Sequence, residues 1–190
     1  MLARDLRFVY SARDMSRKGP QDRARSDVWL SPNELRAWLG YMRLQQRLGY
    51  EMNRQLQSDS ELSLADYDVL NALSGIPDEC MQVSALAAQI GWERSRLSHH
   101  ARRMESRGLV QCNLATRDRR ATEIKLTPDG RRAIVAAAPG HVDLVRRLFF
   151  AGLPRELLAP LTEALEAIYD HVVQHGTLPA PAVRTGSPPR

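Results

Sequence analysis

Arginine is the residue whose placement says most about chemistry in this chain. Arg94, Arg96, Arg102, Arg103, Arg107, Arg117, Arg119 and Arg120 all fall within residues 91–120, against only Glu93, Glu105 and Asp118. This segment carries a net charge of +5, equal to that of the whole chain, so the other residues balance. A basic surface spread evenly would signify solubility, whereas one gathered into a single segment points to a polyanion. Guanidinium suits that partner because its planar fork of N–H donors matches phosphate and base edges. Lysine occurs only at 18 and 125. A GC-rich coding bias accounts for most of that preference but not for the clustering. Ser95, Ser98, Ser106 and His99 stand among the arginines and add shorter hydrogen-bonding groups.

Other reactive residue types carry weaker signals. Cys80 and Cys112 have no CxxC spacing and cannot build a disulfide framework, which fits a reducing, cytoplasmic setting. His171 and His175 are spaced i, i+4, which can present two metal ligands, but no third ligand is near in sequence. They read better as cations near a helix C-terminus, and no metal or cofactor is expected. There is no GxSxG, HExxH or P-loop and no convergent pair of carboxylates, so an enzyme is not expected. The chain has 190 residues, 43% of them hydrophobic, enough for one globular domain or two small ones. No apolar run approaches the ~18 residues that span a bilayer, and residues 1–27 lack the apolar core of a secretory signal.

The elements that must position these residues are well punctuated. Residues 1–27 show no periodicity and read as a disordered or loosely attached extension, and the Pro-rich residues 177–190 read as a disordered tail. Ser31-Pro32-Asn33-Glu34 is a capping box, with Leu30 and Leu35 placed as a hydrophobic staple. The helix it opens runs to about Gln57, with Leu35, Trp38, Met42, Leu48, Met52 and Leu56 near helical spacing. Ser63 to Asp66 starts a second helix, ended by Gly75, and a third short helix spans Ser84 to Ile90. After a tight turn at Gly91, Trp92 to Arg107 forms a fourth helix. Leu97, Ala101 and Met104 share its apolar face, opposite Ser95, Ser98, His99, Arg102 and Ser106. Two helices joined this way form a helix-turn-helix, and the polar face of the second suits a major groove better than a core.

Beyond Gly108 the period changes. Val110 to Leu114 and Ala121 to Leu126 read as two short strands, and residues 115–120 link them through an arginine-rich tip, a wing. Thr127-Pro128 caps a helix that reaches Leu148 with an interruption at Pro139-Gly140. Leu153-Pro154 opens the last helix, whose stripe is Leu157, Leu161, Leu165, Ile168 and Val172. The order α-α-α-α-β-β-α-α gives a mainly α fold with a small β-hairpin wing.

This layout resembles the multiple-antibiotic-resistance regulator (MarR) family of winged helix-turn-helix repressors. LAAQIGWERSRLSHHARRMESRGLV (Leu86 to Val110) is similar to the family's third and fourth helices, and RDRRATEIKLTPDGRRA (Arg117 to Ala133) to its wing and following helix. The likeness spans roughly residues 28–175, and Glu93 departs from it where the family often has a Ser cap. The resemblance implies a homodimer with a helical dimerisation domain (28–60 and 140–176) and a winged DNA-binding domain (61–139). It implies a ligand-responsive repressor on a pseudo-palindromic operator in double-stranded DNA.

Carried over residue by residue, Ser95, Arg96, Ser98 and His99 would meet bases and phosphates, with Arg96 best placed for guanine. Arg102 and Arg103 would reach phosphates. Asp118 and Arg120 would form the wing salt bridge, with Arg119, and Arg117 as second choice, entering the minor groove. Arg120 also counts among the DNA-binding arginines. Trp38, Tyr41 and Tyr67 would line a pocket for a small aromatic or phenolic effector. Without the family, a winged-helix module that docks an acidic protein, or that binds DNA without sequence preference or ligand response, also fits the residues.

Overall fold

The computed structural model describes residues 29–114 and 121–182. The N-terminal extension (1–27), the wing tip (115–120) and the end of the Pro-rich tail lie outside the described residues. Contacts divide the chain into two compact units that meet between Glu51 and Met52.

Helix α1 (Pro32–Ser60) opens as its sequence predicts. The Ser31 N–H donates to the Glu34 carboxylate at 2.7 Å, and the Glu34 N–H donates to Ser31 Oγ at 3.3 Å. This reciprocal pairing satisfies donors that the first helical turn leaves free, and it holds the exposed Glu34 carboxyl below its ordinary pKa.

The second unit holds the winged fold. Helix α2 (Leu64–Ser74) repeats the capping device with Ser63 and Asp66. Strand β1 (Cys80–Gln82) leads into α3 (Val83–Gln89), and a turn at Gly91 leads to α4 (Arg94–Ser106). Gly91 has φ +70°, a left-handed conformation that side chains with a Cβ resist. Strands β2 (Val110–Leu114) and β3 (Thr122–Leu126) pair antiparallel, with Val110 opposite Leu126 and Leu114 opposite Thr122. Helix α5 (Pro128–Leu148), two short 3₁₀ turns (Phe150–Gly152 and Arg155–Leu157) and α6 (Leu158–His175) complete it.

Three sequence expectations need correction. First, the hairpin is part of a three-stranded sheet of order β1-β3-β2, whose added edge strand carries Cys80. Such a short edge strand has too few residues to display an alternating pattern. Glu79, at φ +50°, turns the chain into it, accepts the Leu126 N–H at 2.8 Å and pairs its carboxylate with Arg131 of α5. Second, α5 runs unbroken through Pro139. A proline there removes one bond, to the carbonyl of Val135, and that residue faces solvent. Third, the last helix begins at Leu158 after a 3₁₀ turn rather than at Leu153.

Most of the buried apolar residues among those described form one cluster in the second unit. Leu56 and Leu62 meet Val69, Leu70 and Leu73 of α2, Leu86 of α3, Leu97 and Met104 of α4, and Ile124 of the sheet, all essentially without exposure. Burying a leucine of this kind stabilises by about 1.5–3 kcal/mol, so the apolar face of α4 is firmly committed inward. At the sheet's base, Thr127 caps α5 by accepting the Gly130 N–H at 2.9 Å, while its hydroxyl reaches the Gly108 carbonyl at 2.6 Å. Gly130 packs against the Leu109 backbone so closely that a Cβ there would overlap the Leu109 carbonyl oxygen. The Thr-x-x-Gly spacing thus locks α5 onto the turn that ends α4.

Candidate nucleic-acid interface

Helix α4 has two faces of opposite character. Leu97, Ala101 and Met104 are buried, whereas Arg94, Ser95, Arg96, His99, Arg102, Arg103 and Ser106 are exposed and Ser98 is half-buried. With the exposed Glu105, nine of the thirteen residues from Arg94 to Ser106 therefore form a polar surface with five arginine or histidine side chains open to solvent. The helix has Glu93 as N-cap residue but no side-chain capping bond, which leaves its first N–H groups available to an anion.

Local contacts set where these side chains start from. The Arg96 guanidinium stacks over the Trp92 ring, 4.0 Å from its centroid. Such an arrangement is worth roughly 0.5–1 kcal/mol at an exposed site, enough to bias one rotamer without preventing a stronger partner from claiming it. The Ser98 hydroxyl donates to the Arg94 carbonyl at 2.9 Å and the Ser106 hydroxyl to the Arg103 carbonyl at 2.8 Å. Each oxygen keeps acceptor capacity but has given its proton to the helix. His99 points outward, while its neighbour His100 is buried, edge-on to Trp92 at a centroid distance of 5.4 Å.

His100 belongs to a cluster that sequence reasoning did not find. Asp66 of α2 is 3% exposed, yet it is ionised. Burial works to raise its pKa. His100 at 3.0 Å, the Ser63 backbone and Arg107 at 2.8 Å outweigh that and hold it well below the usual carboxylate range. Arg107 also donates to the Glu61 carbonyl at 2.6 Å. Asp68 is raised by its burial, against the lowering influence of Arg96 and His100. The Ser-x-x-Asp spacing signals Asp66 as a cap, but nothing local in sequence signals a partner 41 residues away.

The wing continues from this helix. Glu105 of α4 accepts the Cys112 N–H of β2 at 2.7 Å, fixing the hairpin's base. Burial, with Glu105 beside it, pushes the Cys112 thiol up, and burial with Glu123 does the same for Cys80. Both therefore lack the stabilised thiolate that a redox sensor uses. Arg117, Asp118, Arg119 and Arg120, and the wing salt bridge expected of Asp118 and Arg120, lie outside the described residues. The three aromatics expected to line an effector pocket fall in different units. Trp38 and Tyr41 form an exposed tilted pair on α1, 5.7 Å between ring centroids. Tyr67 is buried in the second unit against His141, at 4.4 Å. Burial raises the Tyr67 phenol and lowers the His141 imidazole, so both are neutral near pH 7.

Solved structures share this architecture. AbsC of Streptomyces coelicolor, a MarR family transcriptional regulator, is 35% identical with a TM-score of 0.70, over 76% of this chain and 97% of its own. Sco3205, another MarR family regulator of Streptomyces coelicolor, solved in complex with DNA, is 31% identical with a TM-score of 0.73, over 80% of this chain and 96% of its own. The chain belongs to the MarR family of transcriptional regulators. A more distant MarR-like fold, CouR of Rhodococcus jostii RHA1 bound to p-coumaroyl-CoA, is 23% identical with a TM-score of 0.58, over 67% of this chain and 87% of its own. No protein-family profile matches the sequence. Membership accounts for the winged helix-turn-helix, and no helix among the described residues is long and apolar enough to cross a membrane.

Proposed function

We propose that this MarR family protein is a sequence-specific DNA-binding repressor that acts as a cytoplasmic homodimer and responds to a small aromatic or phenolic effector. The observation that carries the reading is the division of α4: its apolar face is sealed in the core while its arginines, serines and His99 stand in solvent. A helix of this kind fits the major groove, whose base pairs present distinct donor and acceptor patterns. DNA in the Sco3205 complex supports the same partner here.

Within this reading Ser95, Arg96, Ser98 and His99 meet base edges and nearby phosphates, and Arg102 and Arg103 engage the backbone. The wing arginines Arg117, Arg119 and Arg120 carry positive charge to the flanking minor groove, with Asp118 bracing Arg120. The ligand of CouR, a coumaroyl thioester, supports an aromatic effector class, for which Trp38, Tyr41 and Tyr67 are the proposed contacts. The protein's role is regulatory rather than enzymatic.

The test is binding of the full chain to a duplex selected by it from a random library and to a shuffled duplex, at stepped salt. The reading predicts a preference of at least about 10³ for the selected duplex and a steep loss with salt for both. Equal affinity would leave a non-specific DNA-binding module, and no affinity for either would leave a protein-docking wing.

A further inference from the structure

Apolar packing fixes which face of α4 points inward, but it is non-directional and tolerates small rotations and slides. The directional restraints come from one buried carboxylate. Oδ1 of Asp66 faces Nε2 of His100 at 3.0 Å, and Oδ2 accepts from Arg107 at 2.8 Å and from the Ser63 N–H at 2.9 Å. On its other side the His100 ring meets Arg103, with Nδ1 at 3.1 Å from the guanidinium. Arginine can only donate, so Nδ1 is the acceptor and the proton sits on Nε2, which lies 3.0 Å from Asp66 Oδ1 without a hydrogen bond aligned on it. A chain of polar contacts therefore runs from Arg103, on the exposed face of α4, through His100 to Asp66. Arg107 closes the circuit at the other end of the helix and ties it to Glu61, whose φ of +56° turns the chain between α1 and α2.

We infer that Asp66 is a positioning residue for DNA reading, setting through His100 and Arg107 the rotation of α4 and the place of the Arg103 guanidinium. This rests on the DNA-reading role proposed above for α4. It goes beyond the capping of α2, because capping uses the Ser63 hydroxyl and Asp66 Oδ2, whereas Oδ1 is turned to His100. The two roles separate in Asp66→Asn. Its amide oxygen can still accept the Ser63 N–H, but its NH₂ then opposes the Nε2–H of His100, donor against donor.

The experiment measures affinity of full-length variants for the selected and shuffled duplexes. Asp66→Asn is expected to weaken the selected duplex by about tenfold and the shuffled one by less than about twofold, since misplacement harms readout more than charge. The loss should shrink in an Arg103→Ala background, where only the rotation of α4 is left to disturb, because residues acting through one chain are not additive. A second pair remains informative where Asp66→Asn fails to fold. His100→Gln keeps a donor and an acceptor and should stay within about threefold of wild type, while His100→Leu, apolar and of similar bulk, should lose about tenfold. Equal behaviour of the two His100 variants, or an Asp66→Asn loss undiminished by Arg103→Ala, would overturn the inference. Failure of the wild type to distinguish the duplexes would instead overturn the DNA-reading role itself.

Discussion

At the residue scale, neighbouring arginines of one helix have different jobs. Arg96 and Arg103 start from defined places, over Trp92 and beside His100, whereas Arg107 is turned into the Asp66 cluster. Arg96→Ala should relax base preference at one symmetric pair of operator positions, costing about 1–3 kcal/mol of discrimination, measured by selection from a randomised duplex. A uniform fall in affinity would reassign Arg96 to phosphate. Arg119→Ala should weaken binding across sequences and flatten the salt slope by about one unit, since one positive charge within the flanking minor groove is lost. Asp66 makes a further prediction about acid. Its folded pKa lies below the ordinary 3.8, so its stabilisation is full above that value and is lost only as pH falls through the lower folded value. Urea denaturation should therefore find Asp66→Asn about 2–4 kcal/mol less stable than wild type at pH 7, with the gap narrowing only below the ordinary carboxylate range. A gap unchanged by strong acid would mean that the carboxylate is not the source.

At the element scale, capping and turn chemistry made most of the fold legible. Ser31 with Glu34, Ser63 with Asp66, Thr127 with Pro128, and Gly91 each mark a boundary by a local physical rule, and the structure uses each of them. What was not legible depends on contacts distant in sequence. Strand β1 exists because β3 offers Met81 a place opposite Ile124, and His100 is buried because Asp66 waits across the core. Pro139 misleads for the converse reason, since one missing bond on a solvent-facing side of α5 costs too little to end a helix held by Ile134, Ala137 and Leu144. The close approach of Gly130 to Leu109 gives a prediction at this scale. Gly130→Ala places a methyl group against backbone that cannot step aside, and it should lower stability by about 1–3 kcal/mol in urea denaturation. An unchanged midpoint would show that α5 can shift away from the turn.

At the scale of the whole molecule, the second unit ends in a helix that is exposed along its length among the described residues. No residue of α6 is buried, and Leu157, Leu165, Ile168 and Val172 of the last stripe are 47–61% exposed. An apolar face this long is costly in water and calls for a partner. Its period was readable from the sequence, and a second copy of the chain is the occupant in the function proposed above. Deleting residues 151–175 should give monomers by sedimentation and lower affinity for the selected duplex by well over about tenfold, because each half-site then binds alone. A truncated chain that bound as tightly would separate DNA reading from pairing.

In the proposed function α4 is presented twice, by a symmetric pair, at the spacing of successive major grooves. Hydroxyl-radical footprinting of the full-length protein on its selected duplex tests this most directly. Two equivalent protected segments with centres about 10 base pairs apart, or a multiple of that, are predicted. A single protected segment, or uniform protection along the duplex, would contradict it.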